Sequence, residues 1–181
     1  MPKKFIGTKR SDDYEGNASV LIGKAGDDFL DSENHGEVWI WGGGGDDVLW
    51  GDDASGAHLF GGRGRDTLLG SMGDDILKGG KGRDTLESYG GADIVKGGKG
   101  ADRFVFWESD IASGVDTIRD FKHGVDKILV RSPSYEGVVT YDEATGDLYF
   151  DADPGDGVSG QVFATMKAGL SFDNDDWGVI G

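Results

Sequence analysis

Aspartate recurs in this chain at a fixed place inside a nine-residue period, behind glycines and ahead of an apolar residue. From Gly61 the period runs in tandem as GGRGRDTLL, GSMGDDILK, GGKGRDTLE, SYGGADIVK and GGKGADRFV, over 61–69, 70–78, 79–87, 88–96 and 97–105. Two further copies stand upstream, GKAGDDFLD at 23–31 and GGGGDDVLW at 42–50. A carboxylate is a hard, charged oxygen donor, and the exposed carbonyls of a glycine turn are hard neutral ones; Ca²⁺ takes both. Glycine also admits positive φ and close backbone approach, which a chain needs to bend tightly around an ion. The candidate ligating turns are Asp28; Gly42, Gly43, Gly45 and Asp47; Gly61, Gly62, Gly64 and Asp66; Gly70, Gly73 and Asp75; Gly79, Gly80, Gly82 and Asp84; Gly91 and Asp93; and Gly97, Gly98, Gly100 and Asp102.

Something must hold these turns in place. Behind each aspartate lies a short stretch whose central residue is always apolar: Leu30, Leu49, Leu68, Leu77, Leu86, Val95 and Phe104. Strands this short are stable only when stacked in parallel with their neighbours, lining a narrow core with one side chain per repeat. Two nonapeptides make one coil of 18 residues, so each turn sits beneath the next but one. One edge of such a stack would carry Asp28, Asp47, Asp66, Asp84 and Asp102, with Asp28 at its end. The other would carry Asp75 and Asp93, with Asp93 facing a less regular cap. Earlier turns of this second edge are degenerate. Val38 stands where aspartate is expected, and 51–60 has one residue too many, though Asp52 and Asp53 offer carboxylates there. One ion per stacked pair gives about five Ca²⁺. Five ions would bring the formal charge of −16 to −6.

The composition agrees. The chain holds 34 glycines in 181 residues, against a usual share of ~7%. A flexible glycine–aspartate linker would have no reason to keep Leu, Val or Phe at a period of nine. With 34 acidic and 18 basic residues, neither nucleic acid nor an anionic membrane surface is an expected partner, since both need clustered Lys and Arg. There is no cysteine, so an exported fold would need another staple, such as metal. No apolar stretch is long enough to span a membrane. The first ten residues lack the apolar run of a cleaved signal peptide. Neither dinucleotide nor Walker A phosphate loops fit the glycine spacing. His35, His58 and His123 are scattered, outside any His-Glu-x-x-His, and there is no Gly-x-Ser-x-Gly elbow. No catalytic site and no organic cofactor are expected.

Residues 1–22 look like a degenerate capping coil, with Asp12 at the position of a weak turn, and 23–105 form the regular roll. From 106 to 181 the repeat stops, and this tail carries 15 acids against 5 bases. Strands are expected at Asp116–Phe121, Asp126–Val130, Glu136–Asp142, Gly146–Asp153, Gly160–Met166 and Trp177–Ile180, separated by turn signals such as His123-Gly124 and Pro154-Gly155. Asp151–Gly157 is a turn rather than an EF-hand, because Val162 stands where the twelfth-position Glu would be.

The nonapeptide is similar to the calcium-binding repeat of repeats-in-toxin (hemolysin-type) proteins. GGKGADRFVF at 97–106, GVDTIRDF at 114–121, GVDKI at 124–128 and YDEATGDLYFDAD at 141–153 resemble the C-terminal domain of serralysin-type secreted metalloproteases. The resemblance implies an all-β fold: a right-handed parallel β-roll closed by an antiparallel β-sandwich-like cap. It also implies a secreted, extracellular protein that folds on Ca²⁺ after type I export through an uncleaved C-terminal signal. Asp176, Trp177, Val179 and Ile180 are similar to such a signal. Two kinds of role follow: a surface or extracellular interaction module, or the accessory domain of a secreted hydrolase or polysaccharide-modifying enzyme whose catalytic part is not in this chain. Trp39, Trp41, Trp50 and Trp107 are candidate stacking faces for a polysaccharide.

Overall fold

The computed structural model describes residues 3–51, 55–134, 136–156 and 160–181. Asp52 and Asp53, and Gly157 at the end of the 151–157 turn, lie outside them.

The chain winds between two sheets, because each glycine turn hands one short strand to the opposite face. One sheet stacks β1 (Lys4–Ile6), β3 (Val20–Ile22), β5 (Val38–Gly44), β7 (Ala57–Arg63), β9 (Ile76–Lys81), β11 (Ile94–Lys99) and β13 (Asp116–Ile118) in parallel. The other stacks β2 (Asp13–Gly16), β4 (Phe29–Ser32), β6 (Val48–Trp50), β8 (Thr67–Ser71), β10 (Thr85–Tyr89), β12 (Arg103–Trp107) and β14 (Lys127–Arg131). The register follows the repeat: Leu59 pairs with Leu77 and Leu77 with Val95, while Leu68 pairs with Leu86 and Leu86 with Phe104. This is the parallel β-roll that the nonapeptide implies, with the apolar residue of every repeat turned inward.

Leu21, Ile40, Leu59, Leu77, Val95 and Ile118 from one sheet, and Leu30, Leu49, Leu68, Leu86, Phe104 and Ile128 from the other, form one core and are at most 2% exposed. Burying each such side chain stabilises the fold by about 2 kcal/mol. At the N-terminal end Phe5 pairs with Leu21 and Tyr14 with Leu30, and the two rings stack at 4.5 Å.

Residue 105 is not a break in either sheet. β13 and β14 continue the parallel stack, and β17 (Gln161–Thr165) and β18 (Trp177–Ile180) extend it from β13 and β14 in turn. Antiparallel pairing is confined to β15 (Val138–Tyr141), β16 (Asp147–Asp151) and β17, which serve as the cap. All six strands expected in the tail are present. The described residues include no α-helix, only a 3₁₀ turn at Glu108–Asp110.

Candidate metal centre

Stacked strands bring the aspartates together. Along one edge each aspartate amide donates to Oδ1 of the aspartate one coil further on. These bonds run Asp12 to Asp28 (2.8 Å), Asp28 to Asp47 (2.8 Å), Asp47 to Asp66 (3.0 Å), Asp66 to Asp84 (3.0 Å), Asp84 to Asp102 (3.1 Å) and Asp102 to Asp126 (3.0 Å). The second edge repeats the pattern from Ala57 to Asp75 (2.6 Å), Asp75 to Asp93 (2.7 Å) and Asp93 to Asp116 (2.9 Å). Two ladders of buried carboxylates thus run along the roll.

Two sequence expectations are corrected here. Asp28 is not the end of its stack, because Asp12 lies in register beneath it. Asp93 does not face an irregular cap, because Asp116 takes the next rung. Asp116 and Asp126 were missed because their coils are longer than 18 residues: Ile94 pairs with Thr117 and Arg103 with Lys127. The signal was present as Gly-Val-Asp at 114–116 and again at 124–126. On the second edge Val38 does occupy the aspartate position, and the extra residue in 51–60 shifts that position to Ala57; the two pair in register and are fully buried.

The remaining carboxylate oxygens are the informative ones. Oδ2 of Asp28, Asp47, Asp66, Asp84, Asp93 and Asp102 is buried and has no hydrogen-bond partner in the protein. Such an atom costs free energy unless something satisfies it, and for an ionised carboxylate that something is a cation. The glycines leave room for one. A Cβ on Gly42, Gly61, Gly79 or Gly97 would lie 2.2–2.4 Å from Oδ2 of the same turn's aspartate. A Cβ on Gly62, Gly80 or Gly98 would lie 2.2–2.3 Å from the carbonyl oxygen of Gly43, Gly62 or Gly80 one coil earlier. The site is a cradle of carboxylate and carbonyl oxygen with no nitrogen or sulfur, a donor set that suits Ca²⁺.

The electrostatics point the same way. Burial pushes Asp47 and Asp84 up to about 6 and Asp66 to about 7; the ladder amide opposes the rise and stacked carboxylates add to it. Asp93 and Asp116 are both raised, by burial first, and Asp93 also by the adjacent Asp116. Without a counter-ion the ladders therefore resist ionisation. The protein's own cations reach only their margins, where Lys24 Nζ donates to the Gly7 carbonyl at 2.6 Å and Lys122 Nζ to that of Gly98.

The histidines are less solitary than their spacing implied. His58 stacks on Trp39 at 3.8 Å. His123 Nδ1 lies 2.7 Å from Asp176 Oδ2, and with Asp173 these form the one His-containing cluster among the described residues with metal-compatible spacing. Asp176 is fully buried and already accepts the Gly124 amide at 2.9 Å and the Asp173 amide at 3.0 Å. The cluster thus clips the tail to the β13–β14 turn.

Residues 36–56, 57–86 and 69–104 match the family model of the RTX calcium-binding nonapeptide repeat. No curated protein sequence matches the chain. Among solved structures, a subunit of the mannuronan C5-epimerase of Azotobacter vinelandii aligns with a TM-score of 0.39 and 20% identity over 94% of this chain and 79% of that one. The extracellular lipase LipA of Serratia marcescens aligns with a TM-score of 0.33 and 18% identity over 98% of this chain and 40% of the lipase. Residues 36–104 thus carry RTX calcium-binding nonapeptide repeats, and the strand register and aspartate ladders of the parallel β-roll agree with that match.

Proposed function

We propose that this chain is an exported module that folds on Ca²⁺ outside the cell and there acts by interaction rather than catalysis. The observation that carries the reading is the set of six buried Oδ2 atoms without partners. In calcium-poor cytosol their mutual repulsion and desolvation oppose the roll. At extracellular Ca²⁺, where such modules bind with Kd of roughly 10⁻⁴–10⁻³ M, binding energy becomes folding energy. Circular dichroism in EGTA and then in millimolar CaCl₂ tests this. The expected result is a β signal that appears with calcium, and a full β signal in EGTA refutes it.

The type I secretion machinery is the proposed export partner, reading residues 173–181 before they fold. In the folded chain this segment becomes β18 and its buried Asp176. Its removal should abolish export while leaving most calcium-dependent β structure; equal export of both chains makes the tail a strand and nothing more.

An extracellular polysaccharide is the proposed surface partner, and the same surface would serve in an accessory domain of a polysaccharide-modifying enzyme. Of the four tryptophans, Trp39 is the one left exposed, at 37%, and it belongs to a stack in which Trp41 and Phe60 lie 5.4 Å apart. Lys78 sits over Phe60 at 5.1 Å, and beyond it Lys78, Lys81, Lys96 and Lys99 line a groove with Asp120. Rings that offer a sugar a flat face, beside amines that attract carboxylates, favour an acidic glycan. Trp107 is engaged elsewhere, donating to Glu87 at 2.5 Å beneath Arg131. Binding to a uronate polymer but not to a neutral glucan, lost in Trp39→Ala, is the expected result; equal retention of both polymers refutes it.

A further inference from the structure

The ladder aspartates are of two kinds, and the residue four positions before each one separates them. Ahead of the six whose Oδ2 lacks a partner stand Lys24 (φ 93°), Gly43 (117°), Gly62 (117°), Gly80 (118°), Tyr89 (64°) and Gly98 (106°). All six have positive φ. Ahead of Asp12, Asp75 and Asp126 stand Thr8, Ser71 and Lys122, none of which has positive φ. There the amide of that residue turns inward and donates to Oδ2 of its own aspartate, at 2.5, 2.5 and 2.9 Å. Asp116, preceded by Ala112, has its Oδ2 taken by Ser88 Oγ at 2.9 Å. In an open turn the amide goes elsewhere: that of Lys24 donates to the Gly42 carbonyl of the next coil at 2.8 Å.

Lys24 and Tyr89 are the non-glycine residues with positive φ among the described residues. A side chain in that region is strained and persists only where the surroundings enforce it. Both lie one coil beyond a closed turn, Lys24 after Thr8 and Tyr89 after Ser71. Where the preceding turn is open, its carbonyl would stand 2.2–2.3 Å from a Cβ, as on Gly43, Gly62, Gly80 and Gly98. An open turn stacked on another open turn thus requires glycine, whereas an open turn stacked on a closed one does not.

We propose that the backbone conformation four residues before each ladder aspartate selects which turns take a calcium ion. Positive φ leaves the carboxylate open to the ion, and an inward amide seals it. Building on the calcium-module reading, this assigns ion-facing roles to Asp28, Asp47, Asp66, Asp84, Asp93 and Asp102. Asp12, Asp75, Asp116 and Asp126 hold coils together and take no ion through Oδ2. The closed turns at Thr8 and Lys122 end the ion row on the first edge.

Counting bound Ca²⁺ on the full chain by native mass spectrometry and by equilibrium dialysis tests the rule. Asp75→Asn should leave the count unchanged, whereas Asp84→Asn should lower it by at least one. The Ser71→Gly/Tyr89→Gly pair should add one ion, because it opens a turn and clears the Cβ above it; Tyr89→Gly alone should add none. Lys122→Gly provides the same gain at the other end of the roll, should the pair fold poorly. Equal losses in Asp75→Asn and Asp84→Asn, or no gain from either opening variant, overturn the rule while leaving the calcium module standing. A wild-type chain that binds no calcium overturns both.

Discussion

Asp84→Asn should move the stability of the roll in opposite directions with and without calcium. Asp84 is fully buried, its Oδ1 accepts the Asp66 amide, and burial raises its carboxyl from 3.8 to about 6. A carboxyl that holds its proton more tightly folded than unfolded favours the fold below the unfolded value and opposes it once pH rises through the folded one. At neutral pH the ionised group therefore costs the metal-free roll about 3 kcal/mol. Asparagine keeps the oxygen that accepts the Asp66 amide and removes the charge. Its new NH₂ donors lack assured partners, a penalty of about 1–2 kcal/mol. The metal-free variant should thus gain about 1–2 kcal/mol. With calcium the sign reverses, because a charged ligand is lost: a calcium midpoint raised tenfold corresponds to about 1.4 kcal/mol. In EGTA, where the chain is unfolded, the concentration of trimethylamine N-oxide that folds each chain measures the first quantity, and the calcium midpoint of folding measures the second. A variant equally destabilised in the two conditions would show that the Asp84 carboxylate is a structural hydrogen-bond acceptor, and the ion argument would fail.

Other outcomes follow from the same ladders. Asp28→Ala should raise the calcium midpoint of folding less than Asp84→Ala, since the closed Thr8 turn ends the ion row beside Asp28 whereas Asp84 has the ion-facing Asp66 and Asp102 on either side; an equal shift would put an ion between Asp12 and Asp28. In EGTA the roll should be more stable at about pH 5 than at about pH 8, because Asp47, Asp66 and Asp84 lose their protons through 6–7 when folded but near 3.8 when unfolded. The trimethylamine N-oxide midpoint of folding in EGTA, followed by circular dichroism at the two pH values, measures this. Gly82→Ala should destabilise the calcium-bound roll by at least 2 kcal/mol, since its Cβ would lie 1.5 Å from the Gly64 carbonyl oxygen at a φ of +140°; denaturant titration in millimolar CaCl₂ checks it.

The regular coils were legible in the sequence because each position answers to one local demand. Leu68, Leu77 and Leu86 had to be apolar for the core, and Asp66 and Asp84 repeat at the coil length, so period alone places them. Asp116 and Asp126 obey the same geometry across coils lengthened by the 107–115 and 119–125 segments, and a period count loses them. Val38 and Ala57 show the converse: the rung persists without its carboxylate, since a ladder of parallel strands needs only backbone. The difference between Asp75 and Asp84 was the least visible, because it rests on where the Ser71 and Gly80 amides point, and that depends on the coil beneath. The Trp39–His58 stack was likewise hidden, since it joins residues 19 apart only once the coil length, itself 19 there, is known.

Because Leu59, Leu77 and Val95 repeat the same contacts as Leu68, Leu86 and Phe104, the length of this molecule is adjustable in whole units. Duplicating 61–78 would insert one more Leu68–Leu77 layer between neighbours that already accept such a layer on both faces. Each added coil would lengthen the molecule by about 4.8 Å along its axis and leave the Phe5–Tyr14 end and the β15–β17 hairpin end untouched. The chain behaves as a ruler with removable graduations, whose span along a surface can change by gain or loss of an 18-residue segment without redesign of anything else.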